Sequence, residues 1–300
     1  MNLTLYFIVE PPEYQTLACY LAASIRQQFG RGVALVGYCP AHRRAEIDPN
    51  VETVLDRLGC ELRTFVALGR FDPAYPHGNK ILATLERRET EFSGFMDSDI
   101  LCIAPNRPED IVGDGAVSLT VAASMNWAPQ SIWETIYGAC GMAVPEERLM
   151  LARQRKGAPR VPYYSSGFFT FPERHRTPGG LSFPEVWMEV ARTVDAVPDL
   201  PHRRPYLDQM TLPLAIRRAG LRPNLLPEEQ HFILGGRLRG QPVPADRGIR
   251  TVHYRRWRVL REAGLSGMAK DMLRAQAGVK RVDEVGTGKD GWARVRSSRD

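Results

Sequence analysis

The stretch Phe92-Ser93-Gly94-Phe95-Met96-Asp97-Ser98-Asp99-Ile100 decides how the chain is read. Phe92 to Met96 is a short, mostly apolar run that reads as a buried strand, and it leads straight into two carboxylates spaced i, i+2. Open parallel sheets bind ligands in the crevice beyond the carboxyl ends of their strands. Asp97 and Asp99 stand at such an end, and their spacing lets both reach one hard cation. An Asp-x-Asp alone is most often a surface turn. The apolar strand and the helical crossover before it give this one its weight.

Outward from there, the pattern alternates. Residues 3–9 read as a buried strand, and 13–29 carry Leu17, Tyr20, Leu21 and Ile25 at helical spacing and end before Gly30. Residues 33–38 read as a strand, 51–58 as a helix stopped by Gly59, 61–66 as a strand and 79–88 as an amphipathic helix. Residues 117–122 form another expected strand. This alternation predicts an α/β fold, Rossmann-like, with a mostly parallel central sheet and helices on both faces.

After Trp127 the pattern loosens. Residues 142–162 are charged, contain Pro145, Pro159 and Pro162, and read as a mobile loop able to close over a ligand. Residues 168–171 read as a strand, 183–194 and 206–218 as helices, and 235–248 as a loop rich in Gly, Arg and Pro. Residues 259–300 are expected to be a basic C-terminal helix and a flexible tail, apart from a main domain spanning 1–258.

The net charge of +6 and pI of about 9.2 suit acidic ligands: nucleotide phosphates, anionic lipid or nucleic acid. Nucleic acid is not expected, because the basic residues are not interleaved with aromatics in any module pattern. Cys19, Cys39, Cys60, Cys102 and Cys140 are scattered, odd in number and without metal or redox spacing, so free thiols in a reducing, cytoplasmic compartment are expected. The apolar run at 3–9 is too short for a signal core, and no stretch is long enough to span a bilayer.

Three further segments carry candidate chemistry. In Thr251-Val252-His253-Tyr254-Arg255-Arg256-Trp257-Arg258, a histidine ends a short apolar strand and offers an imidazole as third ligand to manganese or magnesium. Arg255, Arg256 and Arg258 follow it and suit diphosphate oxygens. The competing reading is a surface histidine beside a solvated basic run. Ser165, Ser166 and Gly167 lead into a strand with two hydroxyls and a residue permitting close ligand approach, or are an ordinary strand start. Asp208 and Gln209 open a helix, as a cap or as a carboxylate and an amide aimed at sugar hydroxyls. Trp127, Trp133 and Tyr137 are either an acceptor-stacking platform or core.

Taken in order, these pieces resemble the retaining glycosyltransferases of the glycogenin and lipopolysaccharide-galactosyltransferase group, from about residue 3 to about residue 258. The resemblance implies a glycosyltransferase A fold over 1–258. It also implies metal-dependent transfer, with retention, from a nucleotide-diphosphate sugar, a uridine diphosphate sugar by the family's habit, to a glycan, lipid or protein acceptor. Asp97, Asp99 and His253 would hold Mn2+ or Mg2+, with Ser98 between the two acids in the donor pocket. In Ile8-Val9-Glu10-Pro11-Pro12-Glu13-Tyr14, Tyr14 would stack near the donor base, and Glu10 stands where the family tends to have aspartate. Lys80 takes the place of a donor-binding arginine, keeping the charge without the bidentate fork. Ser165-Ser166-Gly167 replaces Asn-Ala-Gly or Asn-Ser-Gly, and Asp208-Gln209 matches the Asp-Gln pair beside the anomeric carbon. The family's downstream Lys-Pro-Trp is not reproduced; Arg255, Arg256 and Trp257 lie nearby.

Departures at Glu10, Lys80 and Ser165 fall in the donor pocket and leave open a non-catalytic nucleotide- or sugar-binding relative. A sugar-phosphate nucleotidyltransferase would need a Gly-rich basic loop after the first strand, where this chain has Glu10-Pro11-Pro12-Glu13. The basic residues Arg255, Arg256, Arg258, Arg261, Lys270 and Arg274 suit peripheral contact with an anionic inner-membrane surface, or a solvated helix face.

Overall fold

A computed structural model describes residues 2–154, 156–201 and 203–279. The elements run β1 (Leu3–Ile8), α1 (Glu13–Phe29), β2 (Ala34–Pro40), α2 (Pro49–Arg57), β3 (Cys60–Phe65), α3 (Asn79–Thr84), β4 (Phe92–Met96) and β5 (Ile100–Cys102). They continue with β6 (Ala116–Val121), α4 (Ile132–Ala139), β7 (Tyr164–Pro172), α5 (Phe183–Asp195), α6 (Arg203–Arg218), β8 (Arg222–Leu225), β9 (Phe232–Ile233), β10 (Thr251–His253), α7 (Trp257–Glu262) and α8 (Ser266–Ala277). Seven strands form a central sheet flanked by helices, in the order β3-β2-β1-β4-β7-β6-β8; β5, β10 and β9 form a second sheet in the order β5-β10-β9. The pairs β1–β2, β2–β3 and β6–β8 are parallel, and β6–β7 is antiparallel. This α/β architecture agrees with the glycosyltransferase A-like fold implied by the resemblance.

Burial along the strands explains the order. β1 and β4 are buried at every position, and β2, β6 and β7 at all but one, as expected of strands covered on both faces. The edge strands β3 and β8 keep partly exposed, polar positions, which discourages further strand pairing.

By its contacts the chain divides into two compact units. Unit 1 comprises the residues up to 67, 94–110 and those from 229 onward; unit 2 comprises 68–93 and 111–228. In unit 1, α1 ends where Gly30 takes φ +74°, a conformation that glycine adopts without strain. Arg26, on the last turns of α1, is buried and donates to the carbonyls of Leu58 and Val33, each at 2.6 Å, and of Gly59 at 3.0 Å. One guanidinium thus satisfies carbonyls of the loops next to β2 and β3. Gly37 lets β1 and β2 approach closely, since a Cβ there would lie 2.7 Å from Val9 Cγ2. The C-terminal helix α8 packs on α1, with Gln276 Nε2 2.6 Å from Gln27 Oε1. The expected flexible tail, from 280 to 300, lies outside the described residues.

In unit 2, α5 and α6 pack together, and α6 packs on β7. Trp187 Nε1 donates to Thr211 Oγ1 at 3.0 Å across that helix pair. Ser182 and Glu185 form a capping box at the start of α5. The helix expected over 79–88 is shorter than predicted, because α3 stops at Thr84. Arg88, whose side chain is 1 % exposed, turns back to donate to the carbonyls of Ala83 (3.1 Å) and Thr84 (2.9 Å) and pairs with Glu173 at 2.7 Å. The strand expected over 168–171 is longer, running from Tyr164 to Pro172, so Ser165, Ser166 and Gly167 lie inside β7 rather than ahead of it. Residues 132–139 form the helix α4, and Trp133 and Tyr137 on it are fully buried core, which removes both from the aromatic platform.

All five cysteines are buried and free, with burial raising each thiol's pKa. No helix among the described residues is long and apolar enough to cross a membrane.

Candidate functional site

The sequence-predicted residues divide between the two units, and each unit gathers some of them into one cluster. In unit 1, β4 ends at Met96 and the chain turns through Asp97-Ser98-Asp99 into β5, with the Ile100 amide donating to the Asp97 carbonyl at 3.0 Å. The buried Ser98 hydroxyl donates to the Ile8 carbonyl at the end of β1 and pins the turn there. β10 runs antiparallel to β5 with His253 opposite Ile100, and the Tyr254 amide donates to the Asp99 carbonyl at 3.0 Å. That register delivers His253 to the acidic turn from 154 residues away in sequence, counted from Asp99 (253 − 99).

His253 Nε2 lies 3.1 Å from Asp99 Oδ1 and 4.0 Å from Asp97 Oδ2. One donor atom from each of Asp97, Asp99 and His253 can be chosen so that all lie within 4.8 Å of one another. Two carboxylates and an imidazole are a hard-to-borderline donor set, compatible with a divalent cation. The set is largely sheltered, with side chains 22 %, 12 % and 10 % exposed for Asp97, Asp99 and His253. Among the described residues the buried Nδ1 of His253 meets no hydrogen-bond partner, and the His231 ring packs 5.1 Å away, centroid to centroid. These residues fit a divalent cation.

The remaining unit 1 candidates surround different atoms. Glu10 Oε1 is 3.7 Å from Arg43 Nη1, and Arg43 also pairs with Glu46 at 2.6 Å. Tyr14 sits in the first turn of α1 and is 42 % exposed. Arg255, Arg256 and Arg258 are exposed at and before the start of α7. Arg258 bonds Glu262 one turn on at 2.7 Å, while Arg255 holds φ +61°, uncommon for a residue with a side chain.

In unit 2, Asp208 lies in α6 with its side chain 6 % exposed. Its Oδ2 accepts from Ser166 Oγ at 2.6 Å and pairs with Lys80 Nζ at 3.0 Å; its Oδ1 accepts from the Tyr75 hydroxyl at 3.0 Å. Lys80 Nζ also lies 3.4 Å from Ser166 Oγ. Burial alone would raise the Asp208 pKa. The Lys80 charge and the hydrogen bonds from Ser166, Lys80 and Tyr75 outweigh it and hold the carboxyl below the ordinary aspartate value. Burial, then the Asp208 charge, pushes the Tyr75 phenol up, so Tyr75 keeps its proton and remains a donor. Gln209 Oε1 accepts from Tyr163 Oη at 2.9 Å, and Tyr163 Oη lies 3.2 Å from Trp127 Nε1. Trp127 stacks on Tyr206 with centroids 4.7 Å apart. Ser165 Oγ lies 3.4 Å from the Gly167 amide within β7.

Residues 5–220 match the family model described as the Rhodobacterales glycosyltransferase domain. The chain belongs to this glycosyltransferase family. No curated protein matches it. As a glycosyltransferase it requires an activated donor, a nucleotide sugar, and an acceptor. The family match takes in Asp97, Asp99, Lys80, Ser166 and Asp208 and stops before His253, so the third member of the acidic cluster comes from the segment after the matched domain. Sequence reasoning missed four residues that shape this glycosyltransferase's clusters: Arg43 at Glu10, His231 beside His253, Tyr75 at Asp208 and Tyr163 at Gln209. Tyr75 sits in a Pro-rich, non-periodic stretch, and nothing in its local pattern signals a partner 133 residues away.

Proposed function

We propose that this glycosyltransferase moves a sugar from a nucleotide-diphosphate donor, a uridine diphosphate sugar, to a glycan, lipid or protein acceptor, with retention at the anomeric carbon. Asp97, Asp99 and His253 would hold manganese or magnesium, which when bound neutralises charge developing on the departing diphosphate. The observation that carries the reading is the convergence of two carboxylates and one imidazole within 4.8 Å in a chain of a glycosyltransferase family.

The chain's own residues then have separable tasks. Ser98 holds the acidic turn on β1, so the two carboxylates keep their spacing without a ligand. Exposed Arg255 and Arg256 supply positive charge for phosphate oxygens, and Arg258 would have to give up Glu262 to join them. Tyr14, exposed in the first turn of α1, is assigned to the donor base, and Glu10 and Lys80 to the donor pocket. Asp208 and Gln209 are assigned to the donor sugar, and Ser165, Ser166 and Gly167 to its hydroxyls. The bond from the anomeric carbon to phosphate oxygen breaks, the acceptor oxygen bonds that carbon, and the acceptor's proton leaves to the released diphosphate. The division proposed for the chain is a catalytic region at 1–258 followed by a basic C-terminal segment. The basic residues of that segment suit peripheral contact with anionic lipid on the cytoplasmic side.

The test is release of free nucleotide diphosphate from a panel of nucleotide sugars, with manganese, with magnesium and after chelation. Metal-dependent release with at least one donor is expected. Binding of a nucleotide diphosphate without any release would favour the non-catalytic relative, which Lys80, standing where the glycogenin-like group carries an arginine, leaves open.

A further inference from the structure

We propose that Tyr75 is a positioning residue for Asp208, fixing the rotation of its carboxylate, and that Arg204 in turn fixes Tyr75. The inference rests on the reading of Asp208 as a residue of the transfer reaction.

All the groups concerned lie in unit 2. Asp208 is buried, and both its oxygens are engaged: Oδ1 by Tyr75, Oδ2 by Ser166 and Lys80. With Oδ2 alone engaged, the carboxylate could still swing Oδ1 about the Cβ–Cγ bond, because a terminal sp3–sp2 torsion is broad. The phenol closes that freedom from the opposite side. Tyr75 Oη also lies 3.4 Å from the Asp208 backbone amide, so one hydroxyl addresses both the main chain and the side chain of the same residue. Three donors on one carboxylate favour its charged form, which makes Asp208 a fixed anion rather than a group that exchanges protons.

Tyr75 is itself placed by a separate set of contacts. The Arg204 guanidinium lies over its ring, 5.2 Å from the centroid, and over Phe71 at 6.0 Å. The same guanidinium bonds Asp195 Oδ2 at 2.6 Å and donates to the carbonyls of Pro73 and of Ala74, the latter at 3.2 Å. Arg204 and Asp208 are four residues apart on α6, so one helix turn holds both the carboxylate and the clamp on the tyrosine that orients it. Gly78 leaves room for this ring, since a Cβ there would overlap Tyr75 and lie 2.9 Å from Phe71 Cε2. No member of this arrangement beyond Asp208, Lys80 and Ser166 follows from the sequence resemblance, and Tyr75 and Arg204 have no other assigned role.

The test is steady-state transfer by Tyr75→Phe, Asp208→Asn and the double variant, with thermal unfolding measured on each. Tyr75→Phe keeps the ring under Arg204 and deletes only the hydroxyl. It is expected to lower kcat about tenfold with donor KM changed less than about twofold, and with an unfolding midpoint near that of the parent. In the Asp208→Asn background the same change is expected to have almost no further effect on kcat, because the two residues act as one unit. Arg204→Lys, which keeps charge but loses the planar fork, is expected to reproduce a smaller fall in kcat. If Asp208→Asn is inactive and Tyr75→Phe keeps the parent kcat, or if the two effects multiply independently, the positioning role is overturned while the reading of Asp208 stands. If Asp208→Asn itself retains the parent rate, the reading of Asp208 fails and the positioning role fails with it.

Discussion

The two clusters solve opposite electrostatic problems. In unit 1, the Asp97 and Asp99 carboxylates and the His253 imidazole bring three donor atoms within 4.8 Å of one another, a set compatible with a divalent cation. In unit 2, one buried carboxylate is met within the chain by an ammonium and two hydroxyls. The difference teaches that a buried acid is not by itself a sign of a ligand: what surrounds it decides whether charge must come from outside. The unit 1 cluster gathers two acids and an imidazole that fit a divalent cation, and the unit 2 cluster meets its one acid with groups of the chain itself.

The largest expected effect breaks the first cluster. Asp99→Ala should lower transfer by about 1,000-fold, on the order of 4 kcal/mol, because a carboxylate of the proposed cation site is lost from the transition state. The fold should survive, since the Asp99 carbonyl and the backbone register of β5 and β10, which the substitution keeps, hold the connection together. Far-ultraviolet circular dichroism and the unfolding midpoint check that half of the expectation. An Asp99→Ala enzyme at the parent rate would remove the acid from the reaction.

A smaller effect sharpens the contrast from the other side. Lys80→Met leaves Asp208 buried without its charged partner and should destabilise the protein by about 3 kcal/mol, measured by urea unfolding near pH 7. The sign with pH follows from the lowered pKa of Asp208. A depressed folded pKa contributes stability that is full above the ordinary value of 3.8 and is lost as pH falls through the lower folded value. The gap between parent and Lys80→Met should therefore be widest near neutrality and narrow below about pH 4, as Asp208 protonates. A gap that is constant with pH would mean that the Lys80 charge is not what holds the Asp208 carboxylate.

Much of this was legible in the sequence, and the illegible parts have physical causes. α1 and β4 were read to their exact ends, because long apolar periodicity stopped by Gly30 and a short apolar run stopped by acids are strong local signals. β5, β8 and β9 were not read. β5 and β9 have three and two residues, too few to show a period, and β8 is an edge strand carrying Arg222, Pro223 and Asn224. Missing β5 hid the register that brings His253 to Asp99, although the short strand ending at His253 was itself visible. α4 was not read because its eight residues follow the point where the pattern loosens and are too few to show a firm period; of the two readings of Trp133 and Tyr137, core is the one the structure shows. Asp208 and Lys80 were each visible, but their 3.0 Å pairing depends on β7 and α3 converging on α6, which no local pattern records.

The most direct test of the central claim is manganese binding followed by electron paramagnetic resonance, in the presence of a nucleotide diphosphate, on the parent chain and on Asp97→Asn, Asp99→Asn and His253→Ala. The account predicts about one bound ion per parent chain, with affinity lost in both aspartate variants and weakened in the histidine variant. Binding of equal affinity in all four proteins would contradict it.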